Sequence, residues 1–176
     1  MTDIHLKELP TEKVIHEYAT KYPHLSVDGI LAMIRLMYVA NQMERMLEAN
    51  LSQYDMSLGR FKTLILLHRY SPEGLKPTEL AEKISVTRGN MTGLLDGLEK
   101  SGLIYREDCQ DDRRIVYIRL SEEGQKLIDK VLPTHFDQMS EAMKGIDHKD
   151  LEKLAVNLDK IREGLSVLME QQQQNR

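Results

Sequence analysis

Residues 77–124 read PTELAEKISVTRGNMTGLLDGLEKSGLIYREDCQDDRRIVYIRLSEEG, and the fold follows from this stretch. Pro77 suits the first position of a helix, where its missing N–H would have no partner in any case. Leu80, Ala81 and Ile84 then recur on one face, predicting a short helix over 77–84. Ser85-Val86-Thr87 is a turn, with Val86 as an inward pivot and Thr87 as the N-cap of a second helix over 88–100. Ser101-Gly102 stops it. Two strands follow, 103–107 and 115–120, in which Val116, Ile118 and Leu120 alternate inward. The polar loop Asp108–Arg114 between them is too long for a two-residue turn. Helix, turn, helix and hairpin in that order make a winged helix-turn-helix, a shape built to enter DNA grooves.

The second helix has an unusual surface. Met91, Leu94, Leu95 and Leu98 form one narrow apolar stripe. Gly89, Gly93 and Gly97 lie elsewhere on it at a spacing of four, although each glycine costs about 1 kcal/mol against alanine in a helix interior. A face without side chains lets the backbone sit close to a duplex or a packed partner. The plainer alternative is a surface under little selection for stability. In the hairpin loop, the adjacent Arg113 and Arg114 suit a minor groove, where arginine senses width and negative potential more than base identity.

Working outward, Ser26 caps a long helix over 27–51, with apolar residues on two faces. Such width predicts burial on both sides, against its own domain and a second copy, although a central helix of a monomer would also need it. Leu58 to Tyr70 is a further helix, ended by Ser71-Pro72-Glu73-Gly74, with His68 placed to favour its dipole. Leu75-Lys76 could add a very short strand. After Ser121, a helix runs to about Lys144, with Leu127, Val131, Met139 and Met143 on its inner side and a kink expected at Pro133. Asp147 opens the last helix. There Leu151, Leu154, Leu158, Ile161, Leu165 and Leu168 recur at alternating intervals of three and four, a heptad seam suited to packing in a dimer. The glutamine tail after Gln171 should fray. The N-terminal 25 residues offer only a short helix after Thr11.

Composition narrows the function classes. The 176 residues carry a net charge of −4. Residues 57–124 hold 11 basic and 11 acidic side chains, so the acidity lies outside the reader. DNA affinity must therefore come from locally arranged cations. The single Cys109 excludes an intrachain disulfide and cysteine-rich zinc modules. Asp108 and Asp111 beside it should raise its pKa and make it a poor redox sensor. The six histidines show no metal-ligand spacing. Met33, Met37, Met43, Met46 and Met56 suit core filling or an adaptable pocket, and Arg35 and Arg45 suit salt bridges or an anionic effector. No phosphate loop, nucleophilic triad or carboxylate dyad is evident, so neither catalysis nor a cofactor is expected. With no long apolar run or leader-like N-terminus, a cytoplasmic protein is expected.

LAEKISVTRGNMTGLLDGLEKSGLI followed by DDRRIVYIRLSEEG resembles the multiple antibiotic resistance regulator (MarR) family of bacterial transcription factors. The wing pattern of that family is matched by Asp112, Arg114, Leu120, Ser121 and Gly124. The resemblance implies a mainly α fold with a small β wing. Residues 1–56 and 125–176 would form the dimerisation region around a DNA-binding domain at 57–124. It implies a ligand-responsive repressor, working as a homodimer on a pseudopalindromic operator. Thr87, Arg88, Asn90 and Thr92 would touch phosphates or base edges, with Gly89 and Gly93 allowing close approach. Arg114 would reach the minor groove, held by Asp112, and Arg113 would contact phosphate. Many relatives bear polar or basic residues where this chain has Gly93 and Gly97. The effector would be a small molecule, often an aromatic or phenolic acid in this family. A winged-helix protein-interaction module that does not use DNA is the alternative function.

Overall fold

The structure is a computed structural model that describes residues 11–110, 112 and 114–174. It contains two compact units, dividing between Val131 and Leu132. Seven α-helices and one hairpin are present among the described residues: α1 Glu12–Lys21, α2 Val27–Leu51, α3 Leu58–Arg69, α4 Pro77–Lys83, α5 Arg88–Lys100, β1 Ile104–Asp108, β2 Val116–Leu120, α6 Glu122–Ala142 and α7 His148–Gln174.

Side-chain chemistry sets several of these starts. Ser26 accepts from the Gly29 N–H, Ser57 from Arg60 and Thr87 from Asn90, each satisfying a donor that a helix leaves unpaired in its first turn. At α4 the order is reversed, and the Glu79 carboxylate accepts from the Lys76 N–H at 2.8 Å. Gly102, at φ +70°, takes the left-handed conformation that ends α5.

In the first unit the core joins α3, α4, α5, the hairpin and the start of α6. Leu64, Leu80, Leu98, Ile118 and Ile128 are fully closed to solvent, with Phe61, Leu67, Met91 and Leu95 nearly so. The hairpin is antiparallel and pairs Ile104 with Leu120 and Asp108 with Val116. Leu75 adds a single bridge to Ile118 in place of a short strand.

Three expectations about burial change. Within β2 only Ile118 is buried, while Val116 and Leu120 are half-exposed, because a two-stranded wing has too little cover to close three inward positions. Val86 is likewise half-buried. The inner side of α6 within this unit is Gly124, Ile128 and Val131, with Leu127 only half-buried. Gly124 is there for contact, since a Cβ would run into the Leu103 carbonyl. His68, instead of only facing the end of α3, reaches the Gln125 side chain of α6 at 3.2 Å.

In the second unit α6 continues through Pro133 to Ala142, and Asp147 then caps α7 by accepting from the Asp150 N–H at 2.8 Å. Helix α7 remains helical to Gln174, beyond the point where fraying was expected. No residue of α7 is buried. No described helix is long and apolar enough to cross a membrane.

Candidate nucleic-acid interface

Helix α5 turns Met91, Leu95 and Leu98 inward and exposes Thr87, Arg88, Gly89, Asn90, Thr92 and Gly93. These exposed positions are the ones expected to meet a duplex, and they share the outer surface of the N-cap and the first two turns. The Thr92 hydroxyl is turned back to its own helix, donating to the Arg88 carbonyl at 3.0 Å.

The three glycines of α5 separate into two kinds. Above Gly89 and Gly93 there is open space within 4 Å of where a Cβ would stand. At Gly97 a Cβ would lie 2.7 Å from Nη2 of Arg60 on α3. The close neighbour at Gly97 is therefore a side chain of the same chain. Nearby, a Cβ at Gly59 of α3 would lie 3.2 Å from the Leu94 side chain of α5.

Two acids on α5 would oppose a polyanion, and both are paired from the wing. Arg106 of β1 places Nη2 2.6 Å from Asp96 and Nε 3.3 Å from Glu99. Exposed ion pairs like these add little stability. Their consequence here is electrostatic, since one guanidinium neutralises half the charge of the two carboxylates on the outer surface of α5.

At the wing, Asp112 holds Arg114 by three contacts. The Arg114 backbone N–H donates at 3.0 Å, Nε at 3.1 Å and Nη2 at 3.2 Å. The hydrogen bonds from Arg114 hold the Asp112 carboxyl below its usual pKa of 3.8. The Arg114 side chain is 90% exposed, so a fully solvated cation is oriented rather than left free. Arg113 lies outside the described residues. At the base of the wing Arg119 joins the Glu107 carboxylate to the Pro72 carbonyl, tying β2 to the loop after α3. The cleft beside Arg119, between Leu67, Pro72, Tyr105 and Leu120, encloses about 130 Å³. That is room for a few waters rather than a substantial organic ligand.

Cys109 is a free, half-buried thiol. Among the described residues no cluster of His, Cys, Asp and Glu is arranged to hold a metal ion. Sequence reasoning missed the parts played by Arg60 and Arg106. The spacing of Asp96 and Glu99 on one side of α5 was a signal that a cation from elsewhere should meet them.

Comparison with known proteins supports the geometry. A family model described as MarR family matches residues 56–116. The HTH-type transcriptional repressor YetL of Bacillus subtilis is 33% identical over 162 residues, covering 92% of this chain and 97% of YetL. Among solved structures, Sco3205 is a MarR family transcriptional regulator from Streptomyces coelicolor, determined in complex with DNA. It superposes with a TM-score of 0.73 at 26% identity, covering 80% of this chain and 89% of that one. CouR from Rhodococcus jostii RHA1, bound to p-coumaroyl-CoA, shares the fold at a TM-score of 0.66 and 22% identity, over 74% and 90% of the two chains.

Proposed function

The chain belongs to the MarR family of HTH-type transcriptional regulators, DNA-binding proteins rather than enzymes, and on that premise we propose how it reads its operator. Two copies bind one pseudopalindromic site as a homodimer, in the cytoplasm. Each copy lays α5 in a major groove and its wing in the neighbouring minor groove. The observation that carries this reading is the oriented pair at the wing, with Arg114 fully solvated and fixed by Asp112.

Contacts divide by chemistry. Thr87, Arg88, Asn90 and Thr92 supply polar groups at the N-terminal half of α5, where recognition helices meet phosphates and base edges. Gly89 and Gly93 bring the helix backbone close to the duplex, since nothing stands over them. Arg113 adds a phosphate contact. With so few side chains for direct readout, groove width and DNA deformability carry more of the specificity than base contacts. Residues 1–56 and 125–176 supply the pairing surfaces. The protein acts as a repressor, released by a small molecule of the aromatic or phenolic acid class. Its solved fold relative CouR binds p-coumaroyl-CoA.

The experiment is a gel shift on the DNA upstream of the protein's own reading frame, across a salt series. The wild-type chain should bind with strong salt dependence. Arg114→Ala should weaken binding by at least about tenfold, because a homodimer loses two contacts of roughly 1–3 kcal/mol each. Asp112→Ala should weaken it less, because the arginine remains but is no longer held. Unchanged affinity in both variants would remove the wing from the mechanism, and absence of any salt-sensitive binding would remove the DNA-reading proposal.

A further inference from the structure

Resting on the DNA-binding reading above, we propose that Arg60 is a further DNA-contacting residue. It lies on α3, outside both the helix-turn-helix and the wing. Its guanidinium crosses α5 at the side-chain-free position of Gly97 to meet a phosphate of the duplex.

The packing of α3 on α5 creates the passage. A Cβ at Gly97 would stand 2.7 Å from Nη2 of Arg60 and 3.5 Å from both Cζ and Nε. The guanidinium therefore lies over the Gly97 position of the helix, with Nη2 leading. Nearby, a Cβ at Gly59 of α3 would stand 3.2 Å from the Leu94 side chain, so the two helices are close there as well. Any side chain at 97 would have to share the space that Arg60 occupies.

The position of Gly97 on α5 gives the guanidinium its direction. Asn90, Gly93 and Gly97 stand at i, i+3 and i+7, which places them along one side of the helix. Asn90 and Gly93 are both exposed members of the proposed interface. Arg60 therefore lies at the C-terminal end of a row whose N-terminal end faces DNA. Seven residues of helix span roughly 10 Å, about three base steps along a duplex. A recognition helix reads bases mainly through its N-terminal residues, so the later turn faces the phosphate wall of the groove.

Charge separates Arg60 from the other arginine beside α5. Arg106 is engaged by Asp96 and Glu99. The Arg60 side chain enters none of the ion pairs among the described residues. It is half-buried against α5 while its charge is unspent. A planar guanidinium with five donors fits a phosphate in that setting. The competing role is structural, in which the cation merely favours the last turn of α5 through the helix dipole.

The two roles differ in salt dependence. The full-length wild type, Arg60→Gln, Arg60→Lys and Gly97→Ala are each titrated onto a duplex selected from a randomised pool by the wild-type protein. Salt is varied, and thermal unfolding is followed alongside. A phosphate contact predicts that Arg60→Gln lowers the slope of log affinity against log salt by about 0.9 per chain. Arg60→Lys should keep the slope, and Gly97→Ala should reproduce the loss by displacing the guanidinium, without unfolding earlier. A slope for Arg60→Gln equal to that of wild type overturns the proposal, including the case where its affinity and unfolding temperature fall together. Loss of slope in Arg114→Ala alone would leave the DNA-binding reading intact and remove only Arg60. If the wild type shows no salt-dependent binding, both readings fail.

Discussion

Asp112 and Arg114 show how a weak pair can have a strong consequence. Solvent-exposed ion pairs contribute little to stability, so the three contacts between these residues matter for where the guanidinium points. The pH behaviour follows from the sign of the shift. The folded pKa of Asp112 is lowered from 3.8, so its hold on Arg114 is present above that value and is lost only as pH falls through the lowered one. The affinity difference between wild type and Asp112→Ala should therefore stay constant from neutral pH down to about pH 5, still above the ordinary aspartate pKa from which Asp112 is lowered. Binding titrations across that interval check it, and a difference already vanishing near pH 6 would show that another group holds the arginine. At Asp96 and Glu99 the same electrostatics works by partial neutralisation, through Arg106.

Helix α5 shows why one residue type can answer different demands along a single element. Gly93 faces open space, so alanine there meets no neighbour. Gly93→Ala should raise stability by about 1 kcal/mol through helix propensity while weakening DNA binding. Gly124→Ala, where the Cβ would meet the Leu103 carbonyl, should lower stability by roughly 1–3 kcal/mol through overpacking. Thermal unfolding and binding measured together separate the two, and a Gly93→Ala variant that binds DNA as wild type would argue against close approach. The limits of α2 and α5 were legible because their caps are local chemistry, Ser26 and Thr87 each accepting from a backbone N–H three residues on. The winged order was legible from local signals as well, whereas the Asp112–Arg114 pair was legible only through the resemblance to the wing pattern of the family. The seat of Arg60 over Gly97 was not, because it joins two helices through space and leaves no periodic mark in either. Nor was the partial exposure of Val116 and Leu120, since alternation tells which way a strand faces but not how much protein covers it.

At the scale of the whole molecule, the last helix leaves an apolar seam uncovered. Helix α7 runs for 27 residues without a buried side chain. Leu154, Leu158, Leu165 and Leu168 are each between 38% and 56% exposed, although they repeat with the heptad spacing of a packed seam. Met37 and Val39 leave α2 with exposed apolar side chains in the same way. Exposed apolar seams of this kind suit the homodimer proposed above, and a two-fold dimer matches a two-fold operator. The most direct test is to recover duplexes from a randomised pool with the wild-type chain and weigh the resulting complex. A two-fold dimer should select a pseudopalindrome with half-sites centred about one helical turn, or a multiple of it, apart, and place two chains on each duplex. A pool left unenriched, or a single half-site holding one chain, would contradict it.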